Sequence, residues 1–250
     1  MGCGIDARAR TAIDGHVRLL LAWNDAINLT AIRDPAAIAI RHVADSLTAA
    51  RLFRERGIDR FVDLGSGGGF PGLTLAAALP ADRALVVDSV GKKVRFLATV
   101  VEATGLDRRV AALTARAEEL AAGPTDRGRW PAVTARAVGS LAELVELALP
   151  LLQPRGILVA WKRDGTAAGG GLRDEVGAAR RALAVIDPGA HLTVEGAIVD
   201  VAPRRSQRAG LVLDSLATLA DHRLVVIERG PGRIDRMWPR DPASRRRLGW

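Results

Sequence analysis

With a single cysteine, Cys3, the 250-residue chain cannot form an intramolecular disulfide or gather a thiolate cluster around a metal. Its four histidines are scattered without ligand spacing, so no metal site is expected. Long apolar runs are also missing. No stretch approaches the length of a membrane span, and residues 1–16 are charged and lack a secretory apolar region, so the expected location is the cytoplasm, away from membranes. Met1-Gly2-Cys3 has the form of an acylation signal, but Asp6 stands where myristoylation needs Ser or Thr. Lysine occurs only at Lys92, Lys93 and Lys162, an imbalance that an arginine-rich genome accounts for.

The chain is long enough for one substantial core with appendages. Its net charge of +8 suits a polyanionic partner, and the distribution is more informative than the total. From residue 203 to 250, eleven arginines face five acids, which places +6 of the +8 in the last fifth of the chain.

Phe61-Val62-Asp63-Leu64-Gly65-Ser66-Gly67-Gly68-Gly69-Phe70-Pro71-Gly72 is an apolar run closed by an acid and followed by alternating glycines. Such a run lets a strand turn sharply into a helix whose free backbone N–H groups face a ligand. A second apolar run, 84–87, ends in Asp88, whose two carboxylate oxygens suit the hydroxyls of a ribose. The spacing fits two adenosine-containing cofactors. Gly67-x-Gly69-x-x-Gly72 matches a dinucleotide fingerprint, and Asp63-x-Gly65-x-Gly67-x-Gly69 matches the first motif of S-adenosylmethionine-dependent methyltransferases. An acid beside the loop serves a zwitterionic amino acid end better than a pyrophosphate, so Asp63 favours S-adenosylmethionine.

Helical periodicity in Ile13, Val17, Leu20, Leu21 and Ile27 predicts an amphipathic helix ending near Asn28. Asp34-Pro35 caps a second helix whose apolar side includes Ile38, Val43, Leu47, Leu52 and Phe53. Seven strands are predicted, at 61–64, 84–88, 110–114, 132–135, 157–161, 192–201 and 224–228. Helices are predicted at 73–79, 92–104 and 141–152, which implies a mostly parallel sheet with helices on both faces. Residues 165–171 read as a flexible loop and 203–220 as a long connection without a motif. The expected organisation is an N-terminal helical extension (1–57), the α/β domain (58–228) and a basic tail (229–250) that is mobile until it meets a partner.

Several motifs in one order make the chain similar to the ribosomal small-subunit methyltransferase G family, also called glucose-inhibited division protein B. They are Trp23-Asn24 with Asn28-Leu29-Thr30, Arg41-His42 with Asp45-Ser46-Leu47, the glycine loop, Asp88-Ser89, Lys92-Lys93, Phe96-Leu97, Arg136-Ala137 with Ser140-Leu141, Lys162, 224–228 and Trp238-Pro239-Arg240. The resemblance implies a Rossmann-like class I methyltransferase that moves a methyl group from S-adenosylmethionine to N7 of a guanine in a hairpin loop of 16S ribosomal RNA. It implies cofactor contacts at the positions of Gly65, Phe70, Ala117, Glu118 and Arg136, to which the loop reading adds Asp63, Gly67 and Asp88. Arg136 is expected to pair with the cofactor carboxylate, or else with Glu118 or Asp88. His42, Lys92, Lys93, Lys162, Trp238 and Arg240 are expected to meet RNA, as naked RNA or within the assembling small subunit, with the protein acting as a monomer. The chain departs from the family pattern at Trp161 and Arg163, on either side of Lys162, and at Trp238, where Tyr is usual.

No catalytic side chain is expected. Guanine N7 carries a lone pair and no hydrogen, so orientation alone can supply about 7–11 kcal/mol. A pyrimidine C5 methyltransferase would need a positioned thiolate, which Cys3 cannot provide. Thr134 to Ala137 also lacks the Asn/Asp-Pro-Pro-aromatic tetrapeptide of enzymes that methylate exocyclic amines. A methyltransferase of this fold acting on a small molecule or protein is the alternative reading, and an RNA-binding module on an empty fold is a third. Asp45 also has a plain structural reading, as a partner of Arg41 one helical turn away.

Overall fold

The computed structural model describes residues 5–165, 171–196 and 219–248. Seven strands form one sheet: β1 (Arg60–Leu64), β2 (Arg83–Asp88), β3 (Val110–Thr114), β4 (Trp130–Arg136), β5 (Leu152–Arg163), β6 (His191–Gly196) and β7 (His222–Glu228). Their spatial order is β3-β2-β1-β4-β5-β7-β6, parallel except for β7, which runs antiparallel to both β5 and β6. The predicted strands all recur with small shifts of their ends. The stretch 197–201 of the sixth lies outside the described residues, as do Cys3, 166–170 and 203–218.

The order of strands reverses at β1 and β4, so the helices leaving these two strands pack on opposite faces and leave a crevice at their C-terminal ends. One face carries α1 (Ala7–Ile27), α2 (Pro35–Ile38), a π-helical turn (Ala39–Ala44), α3 (Asp45–Leu47), α4 (Ala50–Glu55), α5 (Gly72–Ala78) and α6 (Gly91–Ala103). The other carries α7 (Ala117–Ala122), α8 (Leu141–Ala148), α9 (Leu172–Ile186) and the C-terminal segment ending in α10 (Pro242–Leu248). Among the described residues no helix is long and apolar enough to cross a membrane.

Local chemistry explains the helix ends that matter for the site. Asp6 caps α1 by accepting the Ala9 N–H at 2.7 Å, and Asn28 ends it in the left-handed region at φ 50°. Asp34 caps α2 through the Ala37 N–H at 2.7 Å, as predicted. The expected single helix running on to Phe53 is instead broken by the π turn, which inserts one residue into the helical repeat and turns His42 and Asp45 toward the ends of β4 and β5. α7 and α9 were absent from the sequence reading. The α9 stripe is Leu172, Ala179, Ala182, Leu183 and Ile186, where two small alanines dilute the apolar periodicity.

The expectation of a mobile tail is overturned for its described part, residues 229–248. Ile234 and Trp238 are buried in the core beneath α7 and α8. Arg127 donates to the carbonyls of Ile234 (3.3 Å), Asp235 (2.7 Å) and Trp238 (2.8 Å), and Arg229 donates to those of Leu152 and Gly232. Arg240 meets Glu146 of α8, with its Nε and Nη2 reaching the carboxylate at 3.1 and 2.7 Å while its backbone N–H donates at 2.7 Å. The Glu146 side chain is 0% exposed and Arg240 is 12% exposed, and the guanidinium also lies 5.2 Å from the Trp238 ring centre. Trp238 and Arg240 are therefore turned into the protein, not toward RNA. The apolar spacing that holds them, Ile234 and Trp238, is too sparse to read as a core pattern.

Truncating Arg240 leaves a carboxylate buried and short of its main partner. Arg240→Ala is expected to cost about 3–5 kcal/mol in urea unfolding, and the Glu146→Gln/Arg240→Met pair to recover part of that. A loss below about 0.5 kcal/mol would mean a solvated, dispensable tail.

Candidate active site

The glycine loop is built around a buried acid. Asp63, at the end of β1, is 0% exposed, and its carboxylate accepts the Thr134 hydroxyl at 2.7 Å and the Gly72 N–H at 3.2 Å. Burial pushes its pKa up to about 6, against the hydrogen bonds that favour the charge. A Cβ on Gly72 would come within 2.6 Å of an Asp63 oxygen, so glycine is required there by close approach. At Gly65, φ is +66° and a Cβ would sit 2.3 Å from Val138, so the turn out of β1 excludes any side chain. Asp63 thus shapes the loop from behind, which corrects its expected role beside the ligand.

Asp88 closes β2 and accepts the Gly67 N–H at 3.0 Å and the Val90 N–H at 2.9 Å, with Lys93 Nζ at 4.0 Å. Two large apolar side chains next to it face solvent, Val90 at 37% and Leu113 at 38% exposure; Leu113 lies opposite Val87 in the β2–β3 register. An exposed apolar pair beside a ribose-competent acid suits the flat face of an adenine, and the strand pattern alone gave no sign that these two would be uncovered. Ala117 and Glu118 begin α7, one short loop beyond β3. Glu118 is bound by Arg245 of α10, which brings the end of the tail to this rim.

Phe70 lies between two imidazoles, with ring centres 4.4 Å from His16 and 4.9 Å from His42, and the Arg136 guanidinium is 5.6 Å from its centre. His16 donates from Nε2 to the Gly68 carbonyl at 2.7 Å. Asn24 knots the turn after α1: its amide accepts the Leu29 and Thr30 N–H groups at 2.8 Å each and donates to the Thr30 carbonyl at 2.8 Å. That knot holds the Thr30 hydroxyl 2.8 Å from His42 Nε2, while Arg136 donates to His42 Nδ1 at 3.0 Å. Because arginine can only donate, His42 is neutral with its hydrogen on Nε2. Burial, and for His42 also the charge of Arg136, lowers both histidines to about 4.

Beyond Arg136, a cavity of about 400 Å³ opens at the C-terminal ends of β4 and β5 and the start of β7. Its wall includes Arg41, His42, Asp45, Arg136, Lys162 and His222. Asp45 is the hub: Oδ2 accepts from Arg136 at 3.1 Å, Oδ1 from His222 Nδ1 at 2.7 Å, and its carbonyl from the Trp161 indole at 2.8 Å. The expected pairings of Arg136 with Glu118 or Asp88, and of Asp45 with Arg41, are therefore replaced by Asp45–Arg136. Ala137 follows in the left-handed region at φ 59°, a strained geometry for a residue with a Cβ. Lys162 is held by Glu175 at 2.6 Å and the Gly139 carbonyl at 2.9 Å. Lys92 projects to solvent from the first turn of α6. The two departures from the family pattern both serve this cavity, Trp161 through Asp45 and Arg163 by donating to His222 Nε2 at 3.1 Å.

A sequence profile described as rRNA small subunit methyltransferase G matches residues 10–184. The chain is similar to a ribosomal RNA small subunit methyltransferase G of Roseiflexus sp. (strain RS-1), 39% identical over 202 residues covering 81% of this chain and 80% of the relative. The one from Chloroflexus aggregans is 45% identical over 169 residues, 67% of each chain. Among solved structures, the fold is similar to an O-methyltransferase from Bacillus cereus in complex with SAH, with a TM-score of 0.55, 16% identity, and coverage of 86% of this chain and 91% of that one. A SAM-dependent O-methyltransferase from Thermotoga maritima gives a TM-score of 0.52 at 14% identity, covering 86% of this chain and 73% of that one.

The depressed histidines set the response to acid. Between pH 6.5 and about 4 an unfolded histidine is protonated while His16 is not, so stability falls as pH drops, by about 1.4 kcal/mol per pH unit from His16 alone. Asp63 opposes this between 3.8 and about 6, because there the folded state holds the proton. Denaturant unfolding at several pH values is expected to show a shallower acid slope in His16→Gln than in the parent protein.

Proposed function

This chain belongs to the rRNA small subunit methyltransferase G family, and from that premise we propose that it methylates N7 of an unpaired guanine in a loop of 16S ribosomal RNA. The protein is a class I methyltransferase whose cofactor is S-adenosylmethionine. We place its action in the cytoplasm, as a monomer acting on small-subunit RNA. The observation that carries the reading is the meeting of two sites on one edge of the sheet. The glycine cradle and Asp88 lie at the ends of β1 and β2, a base-sized cationic cavity lies at the ends of β4 and β5, and Phe70 and Arg136 stand between them.

The residues present fit the cofactor. The side-chain-free backbone of Gly65 and Gly67 leaves room at the strand end, Asp88 suits the ribose, and Val90 and Leu113 offer an apolar face for the adenine. Ala117 and Glu118 stand at the far rim of that end, and Arg136 borders the amino acid end. When bound, S-adenosylmethionine supplies an electrophilic methyl group on a sulfonium. The protein's own part is to orient and to exclude water. Both imidazoles beside Phe70 are neutral at physiological pH, so the wall between the sites sets no imidazolium charge beside the cationic sulfonium. Because N7 has no proton to lose, no general base is needed, and positioning at the cavity carries the rate. Arg41, His42, Lys92, Lys93 and Lys162 are the RNA-facing candidates on this edge; Trp238 and Arg240 are used by the fold.

S-adenosylhomocysteine at 100 times its Kd is expected to add about 2.7 kcal/mol of stability, and NAD none. Asp88→Asn is expected to weaken that binding about tenfold or more. Aniline cleavage at N7-methylguanine in small-subunit RNA, with and without the enzyme, is expected to show one differing guanine. A methyl found only on an exocyclic amine or a carbon overturns the proposal.

A further inference from the structure

Among the described residues, the side chains of the cavity wall are rich in donors and poor in acceptors. Arg41, Arg136, Lys162 and Arg163 can only donate, His42 spends its N–H on Thr30, and both Asp45 oxygens are engaged behind Arg136 and His222. A guanine, however, presents two donors on its Watson–Crick edge, N1–H and the 2-amino group, and its N7 must stay unbonded to accept a methyl. Something in the cavity has to accept from that edge.

His222 Nε2 is built to do so. Arg163 Nε lies 3.1 Å from it and can only donate, so Nε2 is unprotonated and the ring hydrogen sits on Nδ1, aimed at Asp45 at 2.7 Å. The imidazole is 7% exposed, lines the cavity and is fixed from behind by a carboxylate that is itself fixed by Arg136, while its Nε2 faces Arg163, with Asp221 Oδ1 at 3.8 Å. The donor now facing it belongs to a long side chain that is 58% exposed, with Asp221 at 4.0 Å as its other charged contact. Arg163 can be displaced at small cost, and it occupies the place of an incoming N–H.

We propose that His222 is a specificity-determining residue that reads the Watson–Crick edge of the target base: its Nε2, freed from Arg163, accepts the guanine N1–H. This rests on the function proposed above and adds the part of the base that is recognised. β7 lies two strands from β4 and three from β1. Holding N1 at the β7 side therefore leaves the five-membered ring, which carries N7, on the side of Arg136, Phe70 and the glycine cradle. An adenine in the same place would set its N1 lone pair against that of Nε2 and be rejected.

The test uses the full chain and small-subunit RNA in which the target guanine is replaced by inosine, which keeps N1–H, or by 2-aminopurine, which has a lone pair there. The wild type is expected to methylate inosine within a few-fold of guanine and 2-aminopurine about 10- to 100-fold more slowly. His222→Asn keeps a donor for Asp45 but is too short to place an acceptor at the Nε2 position, and is expected to lose about 10- to 100-fold in kcat/KM on guanine and to bring the inosine and 2-aminopurine rates within threefold of each other. His222→Gln, which can place an oxygen near Nε2, is expected to keep much of the discrimination. An unchanged thermal shift with S-adenosylhomocysteine in each variant separates base reading from loss of fold. A wild-type ratio retained in His222→Asn overturns the inference while leaving the methyltransferase reading intact, whereas a wild type that methylates no guanine overturns both. Independently of any variant, nitrogen NMR is expected to find the His222 hydrogen on Nδ1, and a hydrogen on Nε2 would also overturn it.

Discussion

The site depends on one buried carboxylate. Asp45 comes from the helical extension, yet it is held by Arg136 from the end of β4 and His222 from the start of β7, 91 and 177 residues away in sequence. A charge of this kind is costly to bury alone and tolerable only when its partners are complete. The extension, the centre of the sheet and its antiparallel strand are therefore required to meet in one arrangement. His42 and Phe70 join through Arg136, and the glycine loop joins through Phe70, so the loop and the cavity share a single electrostatic hinge.

The π turn at Ala39–Ala44 makes this possible. An uninterrupted α-helix through this segment would present Arg41 and Asp45 on one face, one turn apart, as the sequence spacing suggests. The inserted residue breaks that relation: Asp45 turns inward to Arg136 and His222, while Arg41 gives its carbonyl to Arg136 and leaves its guanidinium at the cavity.

What was legible in the sequence was legible for local reasons. The strand-to-helix turn from Asp63 to Gly72, the cap at Asp34 and the apolar runs of the sheet depend on neighbouring residues, and they appear where their chemistry places them. Asp88 closes β2 for the same reason, at the end of the apolar run that precedes it. Pairings over long sequence distances were not. Asp45 with His222, Lys162 with Glu175 and Arg240 with Glu146 leave no periodic trace, because each is made by tertiary packing of isolated polar residues. The tail follows the same rule: two apolar side chains, Ile234 and Trp238, and one arginine that finds a buried carboxylate are enough to fix a segment whose composition looks disordered.

The bond between Arg240 and Glu146 spans 94 residues, and its later partner lies beyond β7. During synthesis the sheet strands β1 to β5 and helix α8 emerge well before that arginine does. Until Arg240 has been made, the carboxylate in α8 has no such cation, and the groove that Trp238 fills stands open. The face of the sheet that carries α8 is thus closed by a segment made after every one of its strands.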